Sequence, residues 1–213
     1  MATRETRLAG TRQERRKAAT RAKIQAAAEE LFGEHGYEAT SIEDIAESAD
    51  VAVRTIYTHF PSKAAIMLAY FDSWVDVFVE EVLRRPVDEP VVESVREALS
   101  EMGRAGWVDR VENDQSRVHP LVEHLGSGAP DIAGHILQRW MREMGRLAAD
   151  AAERGSYAPD SLEPQARAVA VFTAWIAAMS AARGRSSGRA LPARATGNSH
   201  GLDILELVTG GEL

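Results

Sequence analysis

Apolar positions along this chain recur at helical spacing almost from end to end. Ile24, Ala27, Ala28, Leu31 and Phe32 fall on one side of a helix expected over residues 12–35. Thr11 and Glu14 frame its start as a capping box, and Gly36 stops it. Ser41 to Asp44 carries a second capping signature, opening a short helix whose inner side holds Ile42, Ile45, Ala46 and Ala49. Asp50 stands where the chain must turn, and Asp tolerates the left-handed conformation better than most residues with a side chain. A third short helix follows, from about Ala52 to His59. Pro61 and Ser62 then break the chain and cap a long fourth helix, with Ile66, Tyr70, Trp74, Val77, Phe78 and Val82 in period up to Pro86.

Beyond Pro86 the pattern remains helical. Val92, Val95, Leu99 and Met102 predict a helix over 89–105, and Leu121, Val122 and Leu125 a short one ending at Gly126. Ile132 to Leu147 mark a long one ending at Gly155, and Val169 to Met179 another over 160–183. Residues 184–200, rich in Gly, Ser, Arg and Ala, read as a loop before a final helix over 201–209. No alternating run of β-branched residues predicts a strand. The fold expected is all-α: three N-terminal helices joined by a long helix to a C-terminal helical domain. The boundary is set at residues 1–65 and 66–213.

The span 40–63 carries the sharpest local signal, two short helices joined by a tight turn and followed by a capped third. A helix-turn-helix lays its second helix in the DNA major groove. On residues 53–60, Val53, Ile56, Tyr57 and Phe60 fall on one side and Arg54, Thr55, Thr58 and His59 on the other. Arg54 suits a bidentate contact to guanine, and Thr55 and Thr58 suit a phosphate or a thymine methyl. Tyr57, at the edge of the apolar face, can pack its ring and offer its hydroxyl to a phosphate. His59 and Lys63 are further phosphate donors, as are the hydroxyls and backbone N–H groups of Thr40 and Ser41 at the second helix's start. Helical hairpins of other kinds share this outline, and Tyr57 and Phe60 also read as core.

Charge sharpens the picture. The 213-residue chain has a formal net charge of -7, yet residues 1–23 hold eight basic side chains and two acidic ones, an excess of six. The remainder carries -13. A solvated tail and an arm that meets an anionic polymer account for this asymmetry equally well. With 45% hydrophobic residues the chain can bury a sizeable core. It has no cysteine, which excludes disulfides, cysteine-held zinc and thiol catalysis. It lacks an apolar run of transmembrane length and the apolar segment of a secretory signal, so a cytoplasmic location away from membranes is expected.

The elements Ala28-x-x-Leu31-Phe32-x-x-x-Gly36-Tyr37-x-x-Thr40-Ser41-Ile42-x-x-Ile45-Ala46 and Val51-x-x-x-Thr55-Ile56-Tyr57-x-His59-Phe60-x-x-Lys63 resemble the DNA-binding region of TetR-family transcriptional regulators. The resemblance covers about residues 24–70. It implies a homodimer, a C-terminal regulatory domain, and repression relieved by a small molecule. It also implies base or phosphate contacts at Arg54, Thr55, Tyr57, His59 and Lys63, and it favours an arm on DNA over an idle tail. Two positions depart from the family pattern: Asp50 replaces a common turn glycine, and Ala52 replaces a serine whose hydroxyl would cap the recognition helix.

The C-terminal half is less explicit. The helix over 161–183 is rich in alanine, which suits close approach of helices. By the same resemblance it and the last helix are expected to form a two-fold four-helix interface. Candidate contacts to the effector, large adaptable apolar side chains with a few polar groups, are Trp107, His119, Leu121, His124, Trp140, Met141, Met144, Phe172 and Trp175. The same residues also read as plain core. His119 and Glu123 lie four apart, but His124 is off their face, so no metal site is expected. No phosphate loop, nucleophile elbow or catalytic triad is present, so no enzyme activity and no cofactor are expected. The expected function is a ligand-responsive repressor on a pseudo-palindromic operator. The alternatives are an activator or ligand-independent regulator of the same fold, or a helical small-molecule-binding protein without a DNA role.

Overall fold

The computed structural model describes residues 11–107, 129–186 and 197–210. Within them the chain is helical: α1 (Arg12–His35), α2 (Ile42–Ser48), α3 (Val53–His59), α4 (Lys63–Met67), α5 (Ala69–Leu83), α6 (Val91–Arg104), α7 (Pro130–Arg154), α8 (Glu163–Ser186) and α9 (Gly197–Thr209). No strand occurs among the described residues. The chain divides into two compact units, Met1–Tyr70 and Phe71–Leu213.

The N-terminal unit is built on two capping boxes. The Thr11 hydroxyl accepts from the Glu14 N–H at 3.2 Å while the Glu14 carboxylate accepts from the Thr11 N–H. Ser41 and Asp44 repeat the arrangement at α2, at 3.0 and 2.8 Å. Each box satisfies two backbone donors that an isolated helix start leaves open. Gly36 ends α1 at φ 83°, in the region that favours glycine, and its N–H bonds to the Phe32 carbonyl. The core of the unit gathers Ile24, Ala28 and Phe32 of α1, Ile45 and Ala46 of α2, Ile56 of α3, Phe60, and Ala64 to Ile66 of α4, all buried. Helix α1 packs on α2 and α4, and α2 packs on α3.

The expected long fourth helix is two helices. Leu68 interrupts it at φ -93° and ψ 10°, with its N–H directed at the carbonyls of Ala64 and Ile66. Leu68 is itself buried, as are Ala69 and Phe71. A one-residue turn between two apolar segments leaves the period of the sequence intact, so periodicity does not reveal it.

In the C-terminal unit α8 packs against α7, α9 and α6. The core is made by Val75, Phe78 and Val79 of α5, Val91, Val95 and Met102 of α6, Ile132 and Ile136 of α7, Phe172 of α8 and Leu205 of α9. A line of carboxylates on α5 faces a line of cations on α7. Asp72 meets His135 at 2.9 Å, Asp76 meets Arg139, and Glu80 meets Arg146. The four-residue spacing of Asp72, Asp76 and Glu80 aligns them on one side of α5. Arg139 and Glu143, both buried on α7, approach each other at 3.2 Å. Pro130 occupies the first turn of α7, where a missing N–H costs nothing. Gly155 ends it, where a Cβ would collide with the Tyr157 ring and the Ala151 carbonyl.

The last two helices differ in extent from the sequence expectation. α8 runs on to Ser186 and α9 begins at Gly197, so the intervening connection is shorter than 184–200. The expected helix at 121–126 lies outside the described residues.

Candidate nucleic-acid interface

Helix α3 is set by the turn before it and by two buried anchors. Asp50 adopts φ 48°, the left-handed conformation expected of it. The Val51 N–H closes the turn on the Ala46 carbonyl at 2.9 Å. Ala52 then begins the helix with no side-chain cap, the loss foreseen from the absent hydroxyl. Ile56 and Phe60, one turn apart, are buried at 0% and 1% exposure. They fix which side of α3 faces the unit and so which side faces out.

Arg54, Tyr57 and Thr58 lie on the outside, with Thr55 and His59 partly covered. Tyr57 is 55% exposed, which corrects the expectation that its ring packs with the apolar face. The face is narrower than expected: Ile56 and Phe60 define it, and Tyr57 stands one residue, about 100°, around the helix. The Thr58 hydroxyl donates back to the Arg54 carbonyl at 2.9 Å. That leaves its methyl and its oxygen lone pairs for a partner. The Nδ1 of His59 is buried without a hydrogen-bond partner. Burial, with Lys17 and Arg21 nearby, holds the His59 imidazole below its ordinary pKa of 6.5.

Three polar residues of the motif also serve the unit itself. The Thr40 hydroxyl is buried and donates to the carbonyls of Gly36 at 2.9 Å and Leu31 at 3.3 Å. The Ser41 hydroxyl caps α2 as described. The Lys63 ammonium donates to the carbonyls of Tyr37 at 2.8 Å and Thr40 at 3.0 Å, and sits 4.2 Å from the centroid of the Tyr37 ring. Two of its three N–H donors are thus engaged, and the third is what it can offer a phosphate.

On α1, Arg12, Arg15, Arg16 and Lys17 are exposed. Lys23 pairs with Asp50 at 3.5 Å in full solvent. Arg21 differs from them: its guanidinium donates to the His59 carbonyl at 2.7 Å and lies 3.9 Å over the Phe60 ring. Sequence reasoning missed this role, because an arginine one turn before Ile24 carries no mark that separates a distant carbonyl from a phosphate.

The effector candidates separate. Trp140, half-buried on α7, meets buried Phe172 of α8 with ring centroids 6.3 Å apart. Met144, four residues on from Trp140, is half-buried, while Met141 is 61% exposed on another side of α7. Trp107 is half-buried just beyond α6 and its N–H bonds to the Met102 carbonyl at 2.9 Å. His119, Leu121 and His124 lie outside the described residues, as does the side chain of Trp175. A small cleft elsewhere in this unit is lined by Val82, Val91, Leu147 and Val171 together with Arg85, Arg154 and Arg167. It includes none of the candidates. Its arginines are engaged: Arg85 with Glu89, Arg154 with Asp150, and Arg167 with the Glu89 carbonyl at 2.6 Å. No group of three His, Asp or Glu able to hold a metal lies among the described residues, and no helix there is long and apolar enough to cross a membrane.

Comparison with known proteins bears on the N-terminal unit most directly. Residues 24–70 match the family model for bacterial regulatory proteins of the tetR family. The chain is 30% identical over 146 residues to the HTH-type transcriptional regulator TcmR of Streptomyces glaucescens, covering 68% of this chain and 64% of TcmR. It therefore spans slightly under two thirds of that relative. It is 40% identical over 48 residues to the HTH-type transcriptional repressor ComR of Escherichia coli, covering 22% of this chain and 23% of ComR. The crystal structure of Thermus thermophilus FadR, a TetR-family repressor in complex with lauroyl-CoA, superposes with a TM-score of 0.52 at 22% identity. It covers 91% of this chain and 95% of that one, a likeness of fold. The helix-turn-helix pattern, the helical architecture and these matches agree: the chain is similar to bacterial transcriptional regulators of the tetR family, most specifically over residues 24–70.

Proposed function

We propose that the chain is a ligand-responsive transcriptional repressor that binds a pseudo-palindromic operator as a homodimer. The observation that carries this reading is the outward side of α3: Arg54, Tyr57 and Thr58 exposed above an anchor of buried Ile56 and Phe60. An α-helix seated in the major groove by its buried side presents such residues to base edges. Arg54 takes guanine, Thr55 and Thr58 take a thymine methyl or phosphate, and Tyr57, His59 and Lys63 take phosphates. Repression is the action named for ComR, 40% identical to this chain over 48 residues.

Dimerisation is supported by exposed apolar side chains. Leu162, just before α8, and Val169 and Ile176 within it recur every seventh residue, 77%, 55% and 46% exposed. Leu207 and Val208 of α9 are exposed as well. A seven-residue apolar repeat suits packing against another helix, and a two-fold partner supplies it. The effector site is assigned to the C-terminal unit, around Trp140 and Phe172. Ligand binding there shifts the population toward a dimer whose two α3 helices no longer match adjacent grooves.

The test is a mobility-shift titration of the full chain on duplexes selected from a random library, at several salt concentrations. A palindromic consensus with half-sites one helical turn apart, about 34–36 Å, and steep salt dependence supports the reading. Recovery of no consensus sequence overturns it.

A further inference from the structure

Helix α3 is only seven residues long, too short to hold itself together in water. Its first turn has no side-chain cap. Its last carbonyls, like those of any helix, need donors from outside, and a cation there is favoured by the helix dipole. Arg21 of α1 supplies both. Its guanidinium donates to the carbonyl of His59, the final residue of α3, at 2.7 Å and stacks 3.9 Å over Phe60, the residue that closes the helix. Phe60 is itself buried at 1% exposure, so the ring is a fixed platform. The guanidinium is thus held between a carbonyl and an aromatic face.

We propose that Arg21 is a positioning residue for DNA reading, clamping the C-terminal end of α3 to α1, and is not one of the arm's phosphate contacts. The proposal rests on the reading of α3 as the DNA-reading helix. Arg54 and Thr58 lie within the two turns that the clamp ends. A bidentate contact between arginine and guanine is directional, so a shift in α3 weakens base reading more than charge attraction. The contrast is with Arg12, Arg15 and Arg16, which are exposed on the same helix and free to meet phosphate. A phosphate that captured the Arg21 guanidinium would uncap α3 in the same event.

The two roles give different signatures. The full chain, R21M and R21K are titrated by fluorescence anisotropy against the selected operator and an unrelated duplex of equal length. Salt is varied from 50 to 200 mM, well below each protein's melting temperature. As a positioning residue, Arg21 replaced by Met lowers operator affinity roughly tenfold, the size of one impaired base contact. Affinity for the unrelated duplex stays within about twofold, and the slope of log affinity against log salt is unchanged. R21K, which restores a cation at the carbonyl, recovers part of the loss. Equal weakening on both duplexes with the slope reduced by about one marks a direct phosphate contact and overturns the proposal. A ratio between the duplexes that R21M leaves unchanged also overturns it. R21Q, neutral but still a hydrogen-bond donor, carries the same slope test should R21M not fold. A wild-type chain that binds both duplexes alike fails differently: it removes the DNA reading of α3 itself.

Discussion

At the scale of single residues, the turn before α3 concentrates the cost of this fold. Asp50 holds φ 48°, where a side chain is strained and glycine is not. Its ion pair with Lys23 is exposed on both sides and contributes little. Asp50→Gly is expected to stabilise the protein by about 0.5–1 kcal/mol, strain relief outweighing the added freedom of the unfolded chain. A thermal melt measures it. His59 gives a pH signature. Its folded pKa lies below 6.5, so the folded state resists the proton that the unfolded state accepts. Above pH 6.5 both states are neutral there and the full stability is present. As pH falls from 6.5 through the depressed folded value, that part of the stability is lost. Melting temperatures of wild type and His59→Gln across this range should diverge, with the wild type falling more steeply.

The sequence made much of this residue chemistry legible. The αL turn at Asp50, the missing cap at Ala52 and the outward Arg54 and Thr58 all follow from local rules. Illegible were the partners that close long loops. Lys63 reads as a helix-terminal cation, but only the fold brings it to the carbonyls of Tyr37 and Thr40. Arg21 and Thr40 were obscured in the same way, because backbone carbonyls are present at every position and leave no trace in residue types.

At the scale of elements, helix starts were well marked because capping boxes are written in the sequence, and α1 runs over the range its caps predict. Interruptions were not marked, as Leu68 shows. Nor was the α5–α7 ladder, since a charged residue on a helix is as often solvated as paired. Within the ladder burial decides the energetics. The Arg139 and Glu143 side chains are 8% and 5% exposed. Arg139→Ala leaves Glu143 buried with weaker partners and is expected to cost about 3–5 kcal/mol. The double change Arg139→Met with Glu143→Leu should restore most of that, because apolar groups of similar volume pack without desolvating charge. Glu80→Ala, at an exposed pair with Arg146, should cost less than about 1 kcal/mol. Urea midpoints of the three variants rank them.

At the scale of the molecule, charge and apolar surface divide the labour. The basic excess lies in the first 23 residues and the acidic remainder elsewhere, an asymmetry that, on the proposed function, draws one end to DNA and keeps the rest off it. The seven-residue repeat of exposed apolar side chains at 162, 169 and 176 gives the second whole-molecule property. Sedimentation velocity should report a dimer for the wild type, and Val169→Glu, which places a charge in that repeat, should shift it to monomer. A monomeric wild type would remove the two-fold matching of protein to operator.

Base reading by Arg54 of α3, as proposed, is addressed directly by methylation interference. Methylating guanine N7 in the major groove blocks a bidentate arginine. With wild-type protein, one guanine in each half-site should be intolerant of methylation. With Arg54→Ala, overall binding should weaken by about 1–3 kcal/mol and that same guanine should become indifferent to methylation. An interference pattern identical in the two proteins would rule out base reading by Arg54.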